Sequence, residues 1–176
     1  MNTDLKKYIR SIKDFPKPGI MFRDITTLLK NPEAFKITLE QLSEQVKDLK
    51  ITKVAGIESR GFIFGALLAE KHNVGFIPIR KPGKLPAEKV SESYQLEYGT
   101  DSIEIHKDAI SKGDRVLLHD DLLATGGTAE AACNLIAKLG GNVVQVSFII
   151  ELSFLKGRQK LSQYKVVSLI DYPDEN

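Results

Sequence analysis

The stretch "DDLLATGGT", Asp120 to Thr128, brings two neighbouring acids, two threonines and two adjacent glycines into one short run. Ionised carboxylates only accept hydrogen bonds, so Asp120 and Asp121 repel each other unless a ligand bearing hydroxyl donors meets them. The segment Ala124, Thr125, Gly126, Gly127, Thr128 offers backbone N–H groups and hydroxyls where a helix should start, a ready place for a phosphate. The glycines let the backbone close around an anion. The run lacks both the Gly-Lys-Ser/Thr ending of a Walker loop and the three spaced glycines of the dinucleotide fingerprint, so a nucleoside triphosphate or NAD fits poorly. A ribose 5-phosphate fits well. The amides would hold its phosphate, and Asp120 and Asp121 its 2- and 3-hydroxyls.

Such a run needs a frame that delivers it to one edge. "KVAGI" (Lys53 to Ile57), "VGFIPIR" (Val74 to Arg80), "VLLH" (Val116 to His119), "VVQVSFII" (Val143 to Ile150) and "VVSLI" (Val166 to Ile170) read as buried strands. "FIFGALLAEKH" (Phe62 to His72) and "TAEAACNLIAKLGG" (Thr128 to Gly141) read as helices between them. Asn31-Pro32 has the form of a cap followed by a first-turn proline, and Phe35, Leu39, Leu42, Val46 and Leu49 then share one helical face. Leu5, Ile9 and Ile12 predict a short amphipathic helix at the start, and "DFPKPGIMFRD" an extended segment. Continuously apolar strands alternating with helices predict an α/β fold, a central mostly parallel sheet with helices on both faces. Ligands of such sheets bind beyond the carboxyl ends of the strands. "ESRG", "RKPGK" and "DDLLATGG" each follow a strand and should converge there. Lys81 to Gly99 breaks the alternation. Tyr94, Leu96 and Tyr98 alternate at period two, as do Ile103 and Ile105, which predicts an antiparallel hairpin or flap suited to a lid.

The 176 residues suffice for one domain with a full core, and the 42% hydrophobic and 27% charged content is that of a globular chain. A net charge of +2 is too small for wholesale nucleic-acid binding, so any basic site must be local. The single cysteine, Cys133, excludes an internal disulfide and suits a reducing compartment. The charged start lacks the apolar core of a secretory signal, and no apolar run approaches the roughly 20 residues of a membrane span. A cytoplasmic protein without a membrane partner is the expectation.

"VLLHDDLLATGGT" is similar to the phosphoribosyl-pyrophosphate signature of the type I phosphoribosyltransferases. "DFPKPGIMFRDIT", "ESRGFIFG", "IRKPGKLP", "YQLEYG" and "ELSFLKGRQKL" further resemble the adenine-specific branch of that family, and together these segments run from Asp14 to Leu161. The resemblance implies one type I phosphoribosyltransferase domain over residues 1–176, with a base-binding hood at 14–29 and a flexible flap at 81–99. It implies transfer of a phosphoribosyl group to adenine, giving AMP and pyrophosphate, with Mg2+ as cofactor and a homodimer as the assembly.

The residues suit that chemistry. Pyrophosphate needs cations and N–H donors. Arg60, Arg80, Lys81 and Lys84 supply the charge, arginine as a fork and lysine as a point. By resemblance Ser59 and Arg60 grip pyrophosphate, across a Glu58–Ser59 bond implied to be cis. Asp120 and Asp121 would stabilise positive charge developing on the ribose ring. Magnesium would be held mainly by substrate oxygens, with no direct protein ligand. The backbone of Met21 and Arg23 would read the adenine edge, with Phe22 packing nearby. Glu97 matches the carboxylate that meets the imidazole nitrogen of adenine, as acid or hydrogen-bond partner, and Tyr98 shapes the flap. His119 stands where the family usually has an aliphatic residue, and reads as a core histidine holding a hydrogen bond.

Two other readings share these residues. An oxopurine-specific transferase would invert the donor and acceptor pattern at the base. A regulator of the same fold that senses phosphoribosyl pyrophosphate would add nucleic-acid binding, against which the low net charge stands.

Overall fold

A computed structural model describes residues 4–95 and 99–175. The chain opens with a single 3-10 turn, Leu5–Tyr8, and strand β1 (Arg10–Lys13), in place of the amphipathic helix expected from Leu5, Ile9 and Ile12. Leu5 and Ile9 are buried, but Ile12 pairs with Phe22 in an antiparallel ribbon formed with β2 (Met21–Asp24). Three spaced apolar residues cannot offset the cost of nucleating a helix when a partner strand is at hand. Helix α1 (Thr26–Leu29) follows, then α2 (Pro32–Glu44), which starts as expected: the Asn31 side chain accepts from Ala34 N–H at 2.9 Å.

The rest is strand and helix in turn: β3 (Lys53–Ile57), α3 (Gly61–Lys71), β4 (Gly75–Ile79), β5 (Lys89–Gln95), β6 (Thr100–His106), β7 (Arg115–Leu123), α4 (Gly127–Lys138), β8 (Asn142–Leu152) and β9 (Val166–Tyr172). Five of these strands form a parallel sheet in the order β4-β3-β7-β8-β9. Val54, Leu117 and Ile149 face α2 and α3 on one side, with Phe64, Leu68 and Leu42. Ala55, Leu118 and Val146 face α4 on the other, with Ala132 and Ile136.

The strand order sets the place for a ligand. From β3 the chain moves outward to β4, whereas from β7 it moves the other way to β8 and β9. The crevice between the carboxyl ends of β3 and β7 is therefore the topological switch point. "ESRG" lies at one lip and "DDLLATGG" at the other. Gly61, at the start of α3, closes the gap between them: a Cβ there would stand 2.9 Å from the His119 carbonyl oxygen and 3.0 Å from Asp120 Oδ1.

The flap region is longer than its sequence signal. β5 and β6 pair antiparallel from Lys89↔His106 to Gln95↔Thr100, and Tyr94, Ile103 and Ile105 sink into the α4 core layer. Glu92 fastens this stem to the helix, accepting from Asn134 Nδ2 at 3.2 Å and from Lys138 Nζ. Among the described residues no helix is long and apolar enough to cross a membrane.

Candidate active site

β7 carries the acids inside the strand, Asp120 opposite Phe148 of β8, and not in the loop beyond it. Adjacent strand residues normally point to opposite faces. Leu118 packs in the α4 layer, yet Leu122, four residues on, packs in the opposite one. Both acids line a single cleft of about 190 Å³. Ser59, Arg60, Lys81 and Thr128 line it too.

The electrostatics of this cleft are strained toward neutrality. Burial raises the pKa of Asp120, the charge of Asp121 raises it further, and Arg60 only partly opposes them. Asp121 is likewise raised by burial, against the pull of Arg60, whose Nε stands 2.9 Å from its Oδ2. Asp121 N–H donates to Asp120 Oδ1 at 2.8 Å. Among the described residues no cluster of three or more His, Cys, Asp or Glu could cage a metal ion. Two hard carboxylates beside an anion site suit an ion carried largely by a substrate and water.

Past the acids the chain turns at Gly126, which has φ +82° and heads α4 with no side-chain cap. The N–H groups of the first turn have no partner within the helix. The turn is buttressed from below. A Cβ on Gly126 would lie 2.5 Å from the Gly157 carbonyl oxygen, and a Cβ on Gly157 would lie 2.2 Å from that of Ala124. Gly157 is held in place by its neighbour: Arg158 donates from Nε and Nη2 to the two carboxylate oxygens of buried Glu151, each at 2.6 Å, and from Nη1 to the Val166 carbonyl at 2.7 Å.

On the far side of the turn lies a second cavity of about 220 Å³, lined by Met21 and Arg23 of the ribbon, by Thr125, and by Leu152, Phe154 and Leu155. Met21 and Arg23, two apart on β2, present backbone groups to the same edge. The Arg23 side chain is committed elsewhere: Nη2 donates to the Glu175 carbonyl at 2.9 Å, and the guanidinium sits 4.0 Å from the Tyr172 ring centroid. Asp24 fixes the ribbon. Its carboxylate accepts from Arg10 and from the backbone and hydroxyl of Thr26. Burial would raise its pKa, but these donors hold it lower. Phe22 lines neither cavity; its ring stacks edge-on with Phe15 at 5.1 Å and lies 5.4 Å from the Arg60 guanidinium.

The remaining cations are paired. Lys81 donates to Tyr94 Oη at 2.8 Å and to Asp101. Arg80 and Lys84 lie on Glu58 at the rim. The Glu58–Ser59 peptide is cis, as the resemblance implies. Glu97 and Tyr98 fall outside the described residues. His119 is fully buried, with Nδ1 2.9 Å from Ser147 Oγ; burial, opposed by that bond, lowers its pKa to about 3.

The sequence profile of the phosphoribosyl transferase domain matches residues 24–173. Over 169 residues, 96% of this chain and 99% of that protein, the sequence is 59% identical to adenine phosphoribosyltransferase of Christiangramia forsetii. The chain belongs to the adenine phosphoribosyltransferase family. Its fold is the type I phosphoribosyltransferase fold. The crystal structure of the adenine phosphoribosyltransferase from Thermoanaerobacter pseudethanolicus superposes with TM-score 0.95 at 52% identity, covering 98% of this chain and all of that one. The Saccharomyces cerevisiae enzyme, solved with an iminoaltritol bisphosphate and adenine, gives TM-score 0.88 at 43% identity over 94% and 96% of the two chains.

The two cavities meet at the Ala124–Thr128 turn, with Thr125 in one and Thr128 in the other. Sequence reasoning left five contributors unassigned. Glu58 and Asp101 hold cations, Gly157 supports the turn, and Phe154 with Leu155 walls the second cavity. Glu58 had a signal, a charge placed directly after an apolar strand. The others depend on contacts between segments distant in sequence.

Proposed function

We infer that the protein transfers the 5-phosphoribosyl group of phosphoribosyl pyrophosphate to adenine, releasing pyrophosphate and forming AMP. The observation that carries this reading is the pair of cavities joined at the Ala124–Thr128 turn. Base, ribose phosphate and pyrophosphate then lie in the order in which their bonds are exchanged.

The first-turn amides of α4, with Thr125 and Thr128, hold the 5-phosphate. Asp120 and Asp121 accept from the ribose hydroxyls. That contact gives the two carboxylates donors and supports their charge as the ring gains positive character. Ser59, Arg60, Arg80, Lys81 and Lys84 receive the leaving pyrophosphate. A magnesium ion carried by the substrate would neutralise part of its charge, with Asp120 and Asp121 as the nearest hard donors of the chain. Residues 14–29 act as a hood whose Met21 and Arg23 backbone reads the adenine edge, while Phe22 packs beside it. The flap at 81–99 closes and excludes water, and its Glu97 meets the imidazole nitrogen of adenine as Tyr98 shapes the lid. The working protein is a cytoplasmic homodimer.

Pyrophosphate release is the test, measured with magnesium and phosphoribosyl pyrophosphate against adenine, hypoxanthine, guanine, xanthine and uracil in turn. Release with adenine alone is the expected outcome. Release with an oxopurine would reassign the base, and binding without turnover on any base would favour a sensor.

A further inference from the structure

Four basic side chains stand at the crest of β3, β4 and β7, and every one is matched by a carboxylate. Arg60 meets Asp121, Lys81 meets Asp101, and Arg80 and Lys84 share Glu58. Glu58 is the unusual member. It directly follows β3, its side chain is 11% exposed, and it lines the cleft. Oε1 accepts from Arg80 Nη2 at 3.4 Å and from Lys84 Nζ; Oε2 accepts from Arg80 Nε at 3.4 Å and from Lys81 N–H at 2.9 Å. A carboxylate has about four acceptor positions. All four are taken by the single segment Arg80 to Lys84. Burial would raise the Glu58 pKa, but the bonds from Lys84, Lys81 and Arg80 hold it down to about 2, so the charge persists throughout the working pH range.

The backbone of this segment is also held by Glu104, which exchanges backbone bonds with Arg80 and accepts from Gly83 N–H at 3.1 Å, so the charge of Glu58 acts on where the Arg80 and Lys84 side chains stand. Arg80 and Lys84 repel each other, and Gly83, at φ +79°, gives the turn between them little stiffness. With the Glu58 charge, two cations are fixed at the lip while one positive charge remains uncancelled. Lys84 Nζ keeps further N–H donors beyond the one spent on Glu58.

We propose that Glu58 is a positioning residue for pyrophosphate: a built-in anion that assembles Arg80, the Lys81 amide and Lys84 at the cleft before the substrate arrives. The role rests on the transferase reading above. It adds that the affinity of the pyrophosphate subsite is set by a carboxylate that itself repels the ligand.

The test is calorimetric titration with magnesium pyrophosphate, which requires no adenine. Glu58→Gln presents an amide N–H to the two cations. It should weaken pyrophosphate about tenfold or more, a loss of the size that misplaced binding groups cause. In turnover the KM for phosphoribosyl pyrophosphate should rise by a similar factor while the KM for adenine holds. Glu58→Asp keeps the charge and should recover most of the affinity, so a poorly folded Gln variant does not end the test. In a double-mutant cycle with Lys84→Met the losses should be less than additive, because the second change removes what the first had displaced. Full additivity, or unchanged or tighter pyrophosphate binding by a folded Glu58→Gln, overturns the role of Glu58 alone. A wild-type chain that binds no pyrophosphate overturns the subsite and the transferase reading together.

Discussion

At neutral pH the carboxylates of half-buried Asp120 and buried Asp121 repel each other, and desolvation penalises both charges. A carboxyl whose folded pKa is raised favours the protonated fold. Its stabilising contribution is complete below the ordinary carboxylate pKa and is lost as pH rises toward the elevated folded value. Asp120→Asn should therefore raise the Tm of the unliganded protein at pH 7. The gain should shrink as the pH is lowered toward 4. Turnover of the same variant should fall about 10²–10³-fold. Thermal denaturation against pH, beside a steady-state assay, reads both effects; a variant less stable at every pH would contradict the account. His119 behaves in the opposite sense. A histidine held near pKa 3 weakens the fold as pH falls below the ordinary histidine range, since only the unfolded chain takes up the proton there. Its ring resonances should remain in the neutral form from about pH 8 to pH 5. Both sites stand out in the sequence because their residue types are costly where they are. His119 is the core histidine its sequence position suggested, and its hydrogen-bond partner, Ser147 on another strand, was not legible there.

Among the elements, the segment from Leu152 to Arg158 joins two tasks. It walls the ribbon-side cavity with Phe154 and Leu155 and supports the Ala124–Thr128 turn with Gly157. Gly157→Ala inserts a methyl 2.2 Å from the Ala124 oxygen, so the turn must move. We expect about 1–3 kcal/mol lost from stability, as for overpacked sites, with ribose 5-phosphate binding weakened at least about tenfold. Denaturant unfolding and a ligand titration measure the two. The flap stem gives a complementary case. Lys138→Met frees Glu92 from its strongest partner on α4 and should speed hydrogen exchange in β5 and β6 while leaving β7 and β8 protected. Helices and buried strands were readable from periodicity, since each carries its own pattern. The 3-10 start and the full reach of β5 and β6 were not. Ile12 takes its place from its partner Phe22, and no local signal distinguishes a residue that pairs with a strand from one that sits on a helix face.

For the molecule as a whole, the sheet order placed the site before any side chain was considered, because the reversal between β3 and β7 opens a crevice wherever it occurs. Five apolar runs in the sequence were enough to anticipate that "ESRG", "RKPGK" and "DDLLATGG" meet at the carboxyl ends of the strands, but not the order of those strands. The ion pairing at the crest was not foreseen, since it joins Glu58 to residues 80–84 and Lys81 to Asp101 across three elements. A ligand that bridges these elements stabilises them by mass action. Phosphoribosyl pyrophosphate with magnesium, at about 100 times its Kd, should contribute about 2.7 kcal/mol and raise Tm by about 5–10 °C. Sedimentation should find twice the 19.6 kDa chain mass if the proposed dimer forms.

The two cavities also divide the molecule between parts that can change and parts that cannot. Asp120 and Asp121 lie within a paired strand, so inserting or deleting a residue there shifts the register of β7 against β8. Four of the residues that line the ribbon-side cavity, Ile20, Met21, Phe154 and Leu155, lie in segments outside the five-stranded sheet. A breeder seeking a transferase for a different base would therefore diversify these four positions, keep the crest untouched, and expect most of the library to fold.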